Sequence, residues 1–198
     1  IGRKIFSVTT DTAILENLMD NGIRDATNSL VGKTIIFAQN QRHAEHLEKL
    51  FCEKLYPQHG SKVCKVIHNK VDRPEARIDE FKKAGSEFRI AISVDMMDTG
   101  IDVPEVVNLV FARPVKSWVK FWQMIGRGTR LCPDLFGPGK HKEEFLIFDY
   151  YGNFAYFDEE YVEADTGQSR SLLQTLFEAR LALANEAQSK AHVQAYEL

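Results

Sequence analysis

With 198 residues, 44% of them hydrophobic, the chain has the length for one domain plus an appendage and enough apolar material for a sizeable core. A formal charge of −3 and a pI near 6.1 exclude a globally basic nucleic-acid or membrane-surface binder. Three widely spaced cysteines (Cys52, Cys64, Cys132) with no C-x-x-C exclude a disulfide framework and a zinc ribbon, no apolar run reaches transmembrane length, and a reducing cytoplasm is the expected setting.

Residues 1–30 read as a linker with a short helix over 12–20, capped by Asp11 or Thr12 and arriving from an upstream domain; the start at Ile1 rather than Met fits an excised piece. Residues 31–38, VGKTIIFA, contain the letters that end a P-loop, Gly32, Lys33 and Thr34. A P-loop needs a glycine where this chain has Thr27, with a strand before and a helix after. Here a β-branched and aromatic run follows, so the stretch reads as a turn leading into a strand over 34–38. A helix over 42–55 presents Ala44, Leu47, Leu50, Phe51 and Leu55 on one stripe. His43 and His46 share it, but no second ligand pair accompanies them, so they read as ordinary histidines and no metal site is expected.

A strand over 63–67, a helix over 74–83 opened by Pro74 with Ile78 and Phe81 inward, strands over 88–94 and 106–112, a helix over 118–126 and a strand over 145–149 follow. Strands alternating with helices predict an α/β fold with a parallel sheet covered on both faces, which binds ligands beyond the carboxyl ends of its strands. From 169 an amphipathic helix is expected, with Leu172, Leu176 and Phe177 facing a partner outside the chain. The division is 1–30 linker and short helix, 31–155 α/β domain, and 156–198 acidic connector and C-terminal helix. Residues 113–142 carry seven Lys and Arg against Asp134 alone, whereas 143–165 carry eight acids and no Lys or Arg. A solvated face is the usual meaning of such a charge run, and a basic segment so confined is also how a phosphate site can hide in an acidic protein.

Two loops carry chemistry. In SVDMMDTGIDVP, 93–104, Asp95, Thr99, Gly100 and Asp102 crowd the exit of a strand. Asp102 suits a ribose hydroxyl, Thr99 a phosphate, and Gly100 close backbone approach. An ordinary polar loop ended by Pro104 is the bland alternative. In QMIGRGTR, 123–130, Gln123 and Arg127 share a helix face, Gly128 stops the helix, and Arg130 falls on the next turn. Two guanidiniums so spaced can converge on one phosphate, and surface arginines paired with acids are the alternative.

Taken together, the two loops resemble motif V and motif VI of superfamily 2 helicases and translocases, with Ile35, Ile36 and Phe37 resembling motif IV. The resemblance spans about residues 30–150, and the wording TGIDVPEVVNLVFARPVKSWVKFWQMIGRGTRLCPDL, then FLIFDYYGN, is most similar to the motor (R) subunit of type I restriction enzymes. It implies a RecA-like helicase C-terminal domain with a C-terminal helical extension. Arg127 and Arg130 would face the γ-phosphate of ATP, with Arg130 as the finger, aligned by Gln123. Gly100 and Asp102 would line the nucleotide edge, and Thr99, Gln39, Asn40, His68 and Asn69 would meet DNA backbone. Many relatives carry glycine where this chain has Thr129, which narrows backbone freedom without removing either charge.

The chain has no D-E-x-[DH] box, so the Mg²⁺-holding acid is expected on an upstream RecA-like domain, and this chain alone is expected to hydrolyse no ATP. Pro133-Asp134 opens like a nuclease motif, but no lysine falls between Lys142 and Lys190, so DNA cutting is assigned to a separate nuclease domain. The resemblance implies double-stranded DNA and the modification and specificity subunits as partners, and no membrane. Another superfamily 2 DNA or RNA helicase and a non-catalytic docking module are the alternatives. A small-molecule α/β enzyme would need a nucleophile or general base, and no Ser-His-Asp or Cys-His arrangement is present in these loops.

Overall fold

The computed structural model describes residues 7–97 and 102–164, the last six of these by backbone alone. Five parallel strands run in the order β2-β3-β1-β4-β5. They are β1 (Lys33–Ala38), β2 (Cys64–Ile67), β3 (Ile90–Ser93), β4 (Val106–Ala112) and β5 (Leu146–Asp149). The helices are α1 (Val8–Asn21), α2 (Gln41–Lys49), continued as a π-helical turn over Leu50–Leu55, α3 (Gly60–Val63), α4 (Pro74–Lys82), α5 (Trp118–Ile125) and α6 (Asn153–Ala164). The chain divides into two compact units, Ile1–Ala155 and Tyr156–Leu198. Leu172, Leu176 and Phe177 lie outside the described residues, and so does the stripe expected there.

Every residue of β1, β3 and β4 is buried, as a central parallel strand requires. On one face Ile36, Val66, Ile92 and Val110 meet Leu47 and Phe51. Ile14, Leu15 and Leu18 of α1 belong to the same cluster, so the segment expected as a linker contributes to this core. On the other face the Phe37, Phe111 and Phe121 rings follow one another at 5.2 and 5.4 Å, fixing α5 against β1 and β4. No helix among the described residues is long and apolar enough to cross a membrane.

The GKT turn is structural. Lys33 is 2% exposed, donates to the Lys83 carbonyl at 2.9 Å and pairs with Glu105. The Thr34 hydroxyl donates to the Gly32 carbonyl, and a side chain at Gly32 would strike Val107. These groups are turned inward, away from any phosphate. Buried Asn108 clamps the same region by accepting from the Ile23 amide and donating to the Ile23 carbonyl.

His43 and His46 both turn toward Asp11 on α1, at 3.1 and 3.4 Å. The His43 Nδ1 accepts from the Gln39 amide, which fixes the exit of β1. These histidines therefore join α1, α2 and the β1 loop.

Candidate functional site

The expected site residues divide between opposite ends of the sheet. Gln39 and Asn40 follow β1, His68 and Asn69 follow β2, and Asp95 follows β3, all at the carboxyl end. Asp102 lies four residues before Val106, whose register partner Lys33 opens β1, which puts it at the amino end. The arginine turn joins it there because α5 runs back antiparallel to the strands. Its eight residues carry the chain down about 12 Å. The expectation that Asp95 and Asp102 crowd one strand exit is corrected: they lie at opposite ends of the sheet. Thr99 and Gly100 lie outside the described residues.

The helix α5 starts near the carboxyl end on Ser117, whose hydroxyl accepts from the Lys120 amide, and it reaches the amino end at Ile125 with Gly126 as its cap. Gly128 acts differently from the expected helix stop. It is buried, and a Cβ there would lie 2.2 Å from the Phe145 ring, so only glycine lets the turn press against the chain entering β5. Thr129 donates its hydroxyl to the Gly126 carbonyl at 3.1 Å, closing the turn. The Arg127 Nε donates to the Gln123 carbonyl at 3.1 Å, and the Gln123 side chain is exposed. The Arg130 Nε lies 3.2 Å from the Asp102 carboxylate, with both side chains more than half exposed. Such a pair is worth roughly 0–1 kcal/mol, so it holds neither side chain firmly.

Lys142 enters the sequence reading only as one charge of the basic segment 113–142. Its residue is 6% exposed, and its ammonium donates to the Gly128 carbonyl at 2.6 Å and the Pro104 carbonyl at 3.1 Å. Burial pushes its pKa down from the usual 10.5 to about 8, opposed by the Cys132 thiol nearby. A buried charge gives no repeating pattern, and one lysine in a Gly- and Pro-containing loop carries no signal.

The carboxyl end has another character. Gln39, Asn40, Arg42, Lys70 and Asp95 line an open groove of about 430 Å³. Asn40 caps α2 by accepting from the His43 amide, and Gln39 donates to the Tyr151 hydroxyl. Exposed Asn69 accepts from Gln41. His68 is 3% exposed and its Nδ1 accepts from the Lys70 amide, so it shapes the loop tip rather than lining it. Exposed Arg42 and Lys70 were missed in the sequence; each is a basic residue just beyond a polar strand exit, which is a usable signal. Asp95, at φ 61°, accepts from Lys120 at 2.6 Å and Arg113 at 3.0 Å. The Lys120 ammonium, opposed by partial burial and aided by Arg113, holds its carboxyl below the usual 3.8.

A five-stranded parallel sheet in this order, with an arginine turn at its amino end, defines a RecA-like helicase C-terminal domain. The profile of the "Helicase conserved C-terminal domain" family matches residues 12–132, and the chain belongs to that family. It is 34% identical over 124 residues to the type I restriction enzyme EcoKI endonuclease subunit of Escherichia coli K12, covering 59% of this chain and 10% of that protein. It is 33% identical over 106 residues to the putative ATP-dependent RNA helicase MJ1505 of Methanocaldococcus jannaschii, covering 50% of this chain and 13% of that protein. The chain thus spans about a tenth of the length of these curated relatives. Among solved structures, the DUF1998 helicase MrfA bound to DNA shares the fold, with a TM-score of 0.55 at 19% identity over 82% of this chain and 22% of that one.

Proposed function

We propose that this chain is the second motor domain of an ATP-dependent DNA translocase, in a restriction subunit of the type I kind. Its amino end completes a composite ATP site and its carboxyl-end groove grips the DNA backbone. The observation that carries this reading is Arg130 held on an exposed turn by a pair that an incoming phosphate can replace. Arg127, three residues before it on the same turn, adds a second guanidinium. The donor chemistry fits ATP: two permanently charged forks and an acid, Asp102, suited to a ribose hydroxyl. When bound, ATP would supply the phosphoryl group, and Mg²⁺, which an upstream RecA-like domain would hold, would supply charge neutralisation. The residues of this chain orient the triphosphate and stabilise charge at its outer end.

On this reading the chain hydrolyses no ATP alone and works in the cytoplasm. Its partners are double-stranded DNA, the upstream RecA-like and nuclease domains of the same polypeptide, and the modification and specificity subunits. The similarity to MJ1505 favours a second reading, the C-terminal domain of another superfamily 2 helicase acting on DNA or RNA. The deciding experiment measures duplex-stimulated ATP hydrolysis by the full-length protein with its partner subunits, wild type against Arg130→Ala. An arginine finger contributes about 10³ to 10⁵ in rate. A loss on that scale, with ATP still bound, is the expected result. An unchanged rate would leave Arg130 a surface charge and the chain a docking module. Stimulation by RNA and not by duplex DNA would select the second reading.

A further inference from the structure

Lys142 is a buried cation in a protein that has ample surface for its lysines. Among the described residues no carboxylate pairs with it, and its two acceptors are backbone carbonyls, those of Gly128 and Pro104. Burying an ammonium costs free energy that neutral carbonyls repay only in part, and the depressed pKa of about 8 reflects that cost. A hydrophobic residue would fill the space without this penalty. A charge kept at such a place has a use other than stability.

Its acceptors indicate the use. Gly128 lies between Arg127 and Arg130, and Pro104 lies two residues after Asp102. These are the two segments that meet on the exposed side in the Arg130–Asp102 pair, which by itself is too weak to hold them. From below, the Lys142 ammonium bonds both backbones at once. Its own amide donates to the Cys132 carbonyl, and its ammonium sits 5.9 Å from the centre of the Phe145 ring. That same ring is the surface against which Gly128 is pressed. A two-carbonyl clamp therefore anchors the arginine turn to the segment that carries Asp102.

We propose that Lys142 is the positioning residue of the arginine turn, setting where Arg130 stands relative to the segment that carries Asp102. This rests on the proposed role of Arg130 in ATP hydrolysis, but its structural half does not. The test uses the full-length protein carrying Lys142→Met, alone and combined with Arg130→Ala. Without nucleotide, hydrogen exchange of the amides of 126–130 should speed up about tenfold or more, while those of β1 and β4 stay protected. With partner subunits and duplex, kcat should fall at least about tenfold with KM for ATP within about twofold. In the Arg130→Ala background the same change should cost nothing further, because it acts through Arg130.

The outcomes separate the two claims. If Arg130→Ala leaves hydrolysis unchanged, the motor reading fails, and the exchange result alone decides the clamp. If Arg130→Ala abolishes hydrolysis while Lys142→Met alters neither exchange nor kcat, the clamp is wrong. Additive losses in the double variant would also overturn it, since they mean that Lys142 acts by another route. Should Lys142→Met melt the strands as well, Lys142→Gln takes its place: it keeps one donor group, and intermediate exchange at 126–130 with an intact sheet is then expected. Exchange at wild-type rates in that variant would overturn the clamp.

Discussion

The two ends of the sheet are built on opposite principles. At the carboxyl end, separate loops present amide and basic side chains around an open groove, and they are held by side-chain hydrogen bonds, some local, as at Asn40 and His68, and some between loops, as from Gln41 to Asn69 and from Gln39 to Tyr151. At the amino end, the arginine turn is fastened by its backbone, through a buried ammonium, a glycine that only glycine can replace, and a threonine hydroxyl. A repeating phosphate backbone can be held by adjustable side chains, because register along it is degenerate. Charge that develops on one phosphate oxygen needs a donor whose position is fixed beforehand. On the proposed function, the amino end takes the second task and the carboxyl end the first.

The largest break of this contrast is Arg130→Ala, with its expected loss of about 10³ to 10⁵ in hydrolysis. Next comes Gly128→Ala, which adds one methyl group 2.2 Å from the Phe145 ring. Overpacking of this kind costs about 1–3 kcal/mol. The methyl also pushes the turn away from Lys142, so hydrolysis should fall as well as the melting temperature. Phe145→Ala in the same chain makes room for the methyl, so it should restore part of the lost hydrolysis. No recovery would mean that the glycine serves something other than this contact.

At the other end, Arg42→Ala and Lys70→Ala should weaken duplex binding without sequence preference. Each should lower the salt dependence of the binding constant by about one phosphate contact. At saturating DNA the hydrolysis rate should stay at the wild-type value. A rate loss that saturating DNA does not restore would show that the two ends are not separate in function.

The distribution of these residues also explains what the sequence could show. Strands announce themselves through runs such as TIIFA and VVNLVFA, because a central parallel strand must be apolar on both faces. The predicted boundaries differ from the structure by one or two residues, apart from α1, which starts four residues early on the Ser7 cap, and the α2 stretch, where α-helix gives way to a π turn. Both α3 and α6 escaped notice, the first through its four-residue length and the second because acidic and aromatic residues alternate there without a clean stripe. The arginines were legible through spacing, whereas their end of the sheet was not, because the rule about carboxyl ends was applied to a turn delivered by a returning helix. Lys142 was illegible for a deeper reason. Its function depends on two carbonyls, and every residue has one.

The smallest expected effect probes whether the ends communicate. Asp95, at the carboxyl end, accepts from Lys120 on α5 and from Arg113 just after β4. The same helix leads into the arginine turn, so this carboxylate ties the groove to the far end through a rigid element. Its side chain is 63% exposed, which limits the pair to roughly 0.2–1 kcal/mol. Because Lys120 and Arg113 hold its pKa below 3.8, the stabilisation is fully present above that value and is lost as pH falls through the lower folded value. Wild type should therefore melt slightly above Asp95→Asn at neutral pH, and the gap should close as the acid range is entered. The variant's hydrolysis at saturating DNA should match wild type, while the DNA concentration for half-maximal stimulation rises modestly. A melting gap that persists unchanged to low pH would mean that charge at Asp95 is not what joins the loop to the helix. Asparagine suits φ 61° as well as aspartate, so turn geometry would not account for such a gap, and a contact of the side chain that does not depend on its charge would have to be the cause.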